Sequence, residues 1–231
     1  MGEKKKKEAS QKTWKKTLFV IAAILFIVVM VVSATGTRWI TGLAPIKAGD
    51  AAVVDYTVYD AAGTPFLTSS QQVYKEQIAK GSGILFTKQL SITANRSLNQ
   101  AIYPIPVYLA ANGGSYQEFA LYNPEYNAIS NGVVGMKTGE KKKIAFSGNS
   151  AMSTLVSNEE LNMVRVNTST LRVGDSLLMG VSETPANASA ANATANSYLR
   201  LGQVSRITSE GAIVDFGYPS AEIMIYSISK E

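Results

Sequence analysis

Two residue types that carry much of the proton and metal chemistry of proteins are missing from this sequence, which has 0 His and 0 Cys. Without imidazole or thiolate there is no Ser-His-Asp or Cys-His pair, no HExxH zinc motif and no CxxC site. Any catalysis must run without the usual proton shuttle of neutral pH. Asp55, Asp60 and Asp175 are scattered, and no carboxylate cluster has calcium-loop spacing, so neither a metal nor a cofactor is expected. What remains is aromatic and apolar binding chemistry, together with modification of asparagine. Sequons stand at Asn95, Asn167, Asn187 and Asn192. The last two fall in a small-residue, low-complexity stretch, residues 184–197, that reads as a surface loop.

The elements that must position such groups begin with an address-like N-terminus. Residues 1–16 hold seven Lys and two Glu, and the rest of the chain balances to zero charge, so nucleic acid is not an expected partner. An all-apolar run from Leu18 to Val32 follows, with Trp14 and Trp39 at its flanks. Counted over residues 17–34 it would rise about 27 Å as a helix, close to a ~30 Å hydrocarbon core. The expectation is a transmembrane anchor over 17–38 in the plasma membrane, single-pass, with a cytoplasmic N-terminus and the remainder outside. A signal peptide cleaved near Val32-Ser33-Ala34 is the alternative.

Beyond the anchor the pattern is β-rich. Ala52 to Tyr59 alternates and runs into a hairpin turn at Asp60-Ala-Ala-Gly63. Lys141 to Phe146 reads as a strand with a solvated Lys edge, and Ser197–Ile207, Ala212–Phe216 and Glu222–Ile228 read as three more. Tyr103-Pro-Ile-Pro-Val-Tyr108 favours extended chain over helix.

Several of these segments resemble one family. Gly49-Asp50-Ala-Ala-Val-Val-Asp-Tyr56-Thr57 and the following Phe66-Leu67-Thr68-Ser69 are similar to the opening of FKBP-type peptidyl-prolyl isomerases. Gly135-Met136-Lys137-Thr138-Gly139-Glu140-Lys141-Lys142-Lys143 is similar to that family's "GMKxGEKKK" turn. Val214-Asp215-Phe216-Gly-Tyr-Pro219 resembles the "VVDFNHP" return strand of its long, SlyD-like branch.

The resemblance implies an α+β fold: an antiparallel half-barrel sheet around a short helix near 127–134, with a β-rich insert lobe. It implies an FKBP-like domain over 46–153 with a long insert at about 71–125, a lobe over 154–212, and return strands over 213–229. It implies a prolyl-binding cup of Tyr56, Phe66, Tyr126, Ile129, Met152 and Tyr226, acting on Pro-containing or unfolded exported polypeptides. Such a cup needs no proton transfer, because a dry apolar site favours the twisted amide over the planar one. Leu67, Ile129 and Met152 stand where the family has Asp, Trp or Phe, and Tyr. Isomerisation slower than in the family is therefore expected. The other readings are a holdase that grips apolar segments through its lobe, and a subunit of a surface complex that uses the 71–125 insert.

Overall fold

The computed structural model describes residues 18–31, 33, 44–109, 114–147, 152–182 and 197–229. The chain divides into two units, Met1–Ala44 and Pro45–Glu231. In the first, residues 18–31 form helix α1. Among the described residues no helix is long and apolar enough to cross a membrane. This corrects the expected transmembrane helix over 17–34 and with it the single-pass, plasma-membrane placement. The basic residues 1–16 lie outside the described residues.

The second unit is built on a curled half-barrel sheet. Its elements are β1 (Ala51–Tyr59), β2 (Pro65–Thr68), α2 (Gln71–Ala79), β3 (Leu85–Thr87), β4 (Leu90–Thr93), β5 (Ile102–Leu109), β6 (Ser115–Tyr122) and α3 (Asn123–Gly132). They continue with β7 (Lys141–Ala145), β8 (Ser153–Ser157), α4 (Asn158–Met163), β9 (Ser176–Ser182), β10 (Ser197–Ile207), β11 (Gly211–Asp215) and β12 (Ser220–Ser229). The strand order is β7-β12-β1-β2-β3-β5-β6-β10-β11-β8, with β4 also paired to β1 and β9 to β10.

The sheet is mixed, which corrects the antiparallel expectation. β2 and β3 run parallel, as do β6 and β10 at Leu199 opposite Phe119. The first parallel pair has a physical origin in α2, since parallel neighbours need a crossover and a helix is the usual one. Ser70 caps that helix by accepting from the Val73 N–H. Pro104 and Pro106 cannot donate to a ladder, and β3 pairs with β5 only beyond them, at Val107 and Tyr108.

Two cores form. In the first, β1 turns Ala52, Val54, Tyr56 and Val58 inward at period two. Burying an aliphatic side chain of this kind stabilises by roughly 1.5–3 kcal/mol. The segment 71–125 adds Ile105, Val107, Phe119 and Leu121 to the same core, and α3 adds Tyr126 and Ile129. The GMK turn closes it: the positive φ of Gly139 aims its N–H at the Ile225 carbonyl, 2.7 Å away. The second core, in a lobe made of β8, α4, β9, β10 and β11, holds Val156, Leu161, Leu177, Val204, Val214 and Phe216. Ser157 and Glu160 form a reciprocal capping box at the start of α4.

Candidate functional site

Among the described residues, those expected to form a prolyl cup do not line one common cavity: Phe66, Tyr126 and Tyr226 each border a different one. Tyr56 is 1% exposed, and its hydroxyl shares a hydrogen bond with Thr87 Oγ1 at 3.2 Å. Burial pushes that phenol well above its ordinary pKa. Phe66 is buried under Tyr218, with ring centroids 4.4 Å apart. Ile129 is fully buried in the first core. Tyr126 joins the same core, its ring tilted against that of Tyr103 with centroids 4.8 Å apart. Met152 packs instead against the core of the lobe. Tyr226 is 59% exposed beside Val53, Asp55 and Gln89, in an open groove. Four of the six therefore share one packed core, and the other two lie elsewhere.

A buried ion pair that the sequence reading missed closes the region. Arg200, on β10, is 0% exposed. Its guanidinium reaches Glu125 on α3 bidentately, at 2.8 Å to Oε2 and 2.5 Å to Oε1. The remaining donors go to the carbonyls of Ala120 and Phe216. Glu125 Oε2 also accepts from the Tyr122 N–H at 2.9 Å, so the carboxylate sits at a helix N-terminus, where negative charge is favoured. Arg200 is sandwiched between Tyr218 and Tyr122, 3.8 and 4.2 Å from their ring centroids. Tyr218 donates to the Leu201 carbonyl at 2.7 Å, and burial raises its phenol as it does that of Tyr56. Phe66, Tyr218, Arg200 and Tyr122 thus pack one on the next as a buried stack.

The signal for this latch was present in the chain. Within the alternating strand β10, Tyr198, Arg200, Gly202 and Val204 all face inward. An arginine at an inward position demands a buried carboxylate partner.

The surface of the lobe is different. Leu155, Met163, Val164, Val173, Leu178 and Ile207 are exposed there, Met163 to 75% and Val173 to 64%. Leu155 pairs with Ile213, so the two share the sheet face opposite Val156 and Ala212. Among the described residues of the second unit outside the lobe, the large exposed apolar side chains are Ile78, Tyr116, Val134 and Tyr226.

Of the sequons, Asn95 and Asn167 are exposed, while Asn187 and Asn192 lie outside the described residues. Among the described residues no group of three ionisable side chains converges as metal ligands. The chain matches no protein-family model, and no curated protein is similar to it.

Proposed function

We propose that this chain is a polypeptide-binding module that grips extended apolar segments of unfolded proteins through the lobe spanning β8 to β11. The observation that carries the reading is the concentration of large exposed apolar side chains on that lobe, which would be costly to maintain on an idle surface. Rapid prolyl isomerisation would require Tyr218 to leave Phe66 and Arg200 to leave Glu125. Gripping a segment at the lobe requires neither. The resemblance to prolyl isomerases then concerns a scaffold whose cup is occupied by its own side chains.

Two assays on the full chain test this reading. A denatured aggregation-prone protein should be held in solution by the wild type and not by a Met163→Ser/Val173→Ser variant. Cis–trans exchange of a prolyl peptide should stay close to its uncatalysed rate of tens to hundreds of seconds. Acceleration that disappears in Phe66→Ala, with aggregation unaffected by the lobe variant, would overturn the proposal.

A further inference from the structure

A second surface, remote from the lobe's apolar residues in sequence and in construction, has the features of a receptor. An open groove of about 560 Å³ runs where β1, β4 and the end of β12 meet. Its apolar lining includes Ala52, Ile92, Leu98, Tyr103 and Tyr126, and Arg96 stands at its rim. Arg96 is exposed and has no ion pair among the described residues.

The loop that carries Arg96 is fixed with unusual care for a surface segment. On α3, Asn123, Asn127 and Ser130 follow one another at helical spacing and turn the same stripe toward residues 95–100. Ser130 accepts from the Arg96 N–H at 3.0 Å and donates to the Thr93 carbonyl at 2.8 Å. Asn127 accepts from the Leu98 N–H at 2.8 Å, and Asn123 donates to the Gln100 carbonyl at 3.1 Å. Asn127 and Asn123 also bond to one another. The Asn95 N–H reaches the Ser130 carbonyl at 2.9 Å, from a residue with φ of 58°. Three helix side chains thus fix the main chain of the loop from which the Arg96 side chain projects, beside the groove that Tyr103 and Tyr126 line. Such preorganisation lowers the ordering cost of binding.

The groove also continues. A neighbouring one of about 780 Å³, lined by Asp55, Gln89 and Tyr226, shares Val53 and Ser91 with it. A small acid would use only the end at Arg96, whereas an extended chain could follow both along the sheet.

We infer that this track receives the C-terminus of a polypeptide: the terminal carboxylate pairs with Arg96, an apolar last side chain lies on Tyr103 and Tyr126, and the preceding residues run past Val53 toward Tyr226. A guanidinium is suited to that task because its fork matches the two carboxylate oxygens.

The test is calorimetric titration of the full chain with an octapeptide ending in a free phenylalanine carboxylate, its C-terminal amide, and 3-phenylpropionate. The acid peptide should bind about tenfold or more tighter than the amide, the scale of one lost charged hydrogen-bond pair. Arg96→Gln should erase that difference, and Arg96→Lys should keep part of it. Thermal melting of both variants should match the wild type, since the side chain is exposed. Met163→Ser/Val173→Ser should leave this binding unchanged, so the fate of the lobe reading does not decide this one. Equal binding of acid and amide, no binding of either, or an acid preference that survives Arg96→Gln would overturn the inference. Phenylpropionate binding as tightly as the peptide would replace the polypeptide with a small carboxylate and overturn it equally.

Discussion

Arg200 leaves the longest strand of the lobe and ends inside the first core with every donor satisfied, whereas Met163 and Val173 leave the same lobe and end in solvent. In the core, a charge is buried and repaid by a bidentate carboxylate, two carbonyls and two aromatic faces. On the lobe, apolar surface is exposed, and nothing among the described residues covers it. The contrast teaches where function can reside. Tyr56, Phe66, Tyr126 and Ile129 are taken up by the first core, and the large exposed apolar side chains of the lobe lie outside it.

The sharpest way to break the comparison is to remove one side of the ion pair. Arg200→Met should cost about 3–5 kcal/mol, because Glu125 is left buried and unpaired. Denaturant unfolding measures it. Arg200→Met combined with Glu125→Leu should cost less than either alone, since the uncompensated charge is gone. Additive losses would mean that the two residues do not act as a pair.

A smaller effect separates the lobe from the core. A Cβ at Gly211 would lie 2.0 Å from the Val156 carbonyl oxygen, and because the atoms it meets are the backbone of β8, relief is not easy. Gly211→Ala should cost roughly 1–3 kcal/mol, the scale of overpacking. Hydrogen exchange should quicken in β8 and β11 while β1 and β12 stay protected. Uniform loss of protection would show one cooperative unit instead of two unequal ones.

Titration gives a third test. Burial raises the phenols of Tyr56 and Tyr218, so the folded state binds their protons more tightly than the unfolded state does. Their contribution is complete below the ordinary tyrosine value near ~10 and is lost as pH rises above it. Alkaline unfolding should therefore set in above about pH 10, and it should shift in Tyr218→Phe. That variant also loses the bond to the Leu201 carbonyl, worth about 1 kcal/mol at neutral pH. The smallest effect belongs to Glu160, whose carboxyl is held below its ordinary range by the Ser157 N–H and hydroxyl. Its stabilisation is present above the unfolded carboxylate value and fades as pH falls through the folded one. The side chain is largely exposed and screened, so Glu160→Gln should move the melting point only slightly, and only above that range.

Much of the sheet was legible because its strands alternate. Ala52–Tyr59, Lys141–Phe146, Ser197–Ile207 and Glu222–Ile228 all fall within a residue or two of β1, β7, β10 and β12. The parallel β2–β3 pairing was not legible, since it depends on α2, a helix with no buried residue and hence a weak apolar stripe. The apolar run at 18–32 read as a membrane span on hydropathy alone, and among the described residues no helix is long and apolar enough to cross a membrane. What packs on the expected cup residues was not legible, because resemblance gives which residue sits at a position and not its neighbours. Ile105, Val107, Phe119 and Leu121 come from the 71–125 segment, which had no counterpart to align. Arg200 carried its own signal, a charge at an inward position of an alternating strand, and Arg96 carried none until Asn123, Asn127 and Ser130 were seen to hold its loop.

The central claim is that the lobe, and not the cup, meets an unfolded polypeptide. Methyl-resolved NMR of the full chain titrated with a permanently unfolded client tests it most directly. Shifts and broadening should concentrate on Leu155, Met163, Val164, Val173 and Leu178, while the methyls of Leu67 and Ile129 stay still. Perturbation centred on Leu67 and Ile129 with a silent lobe would contradict the account.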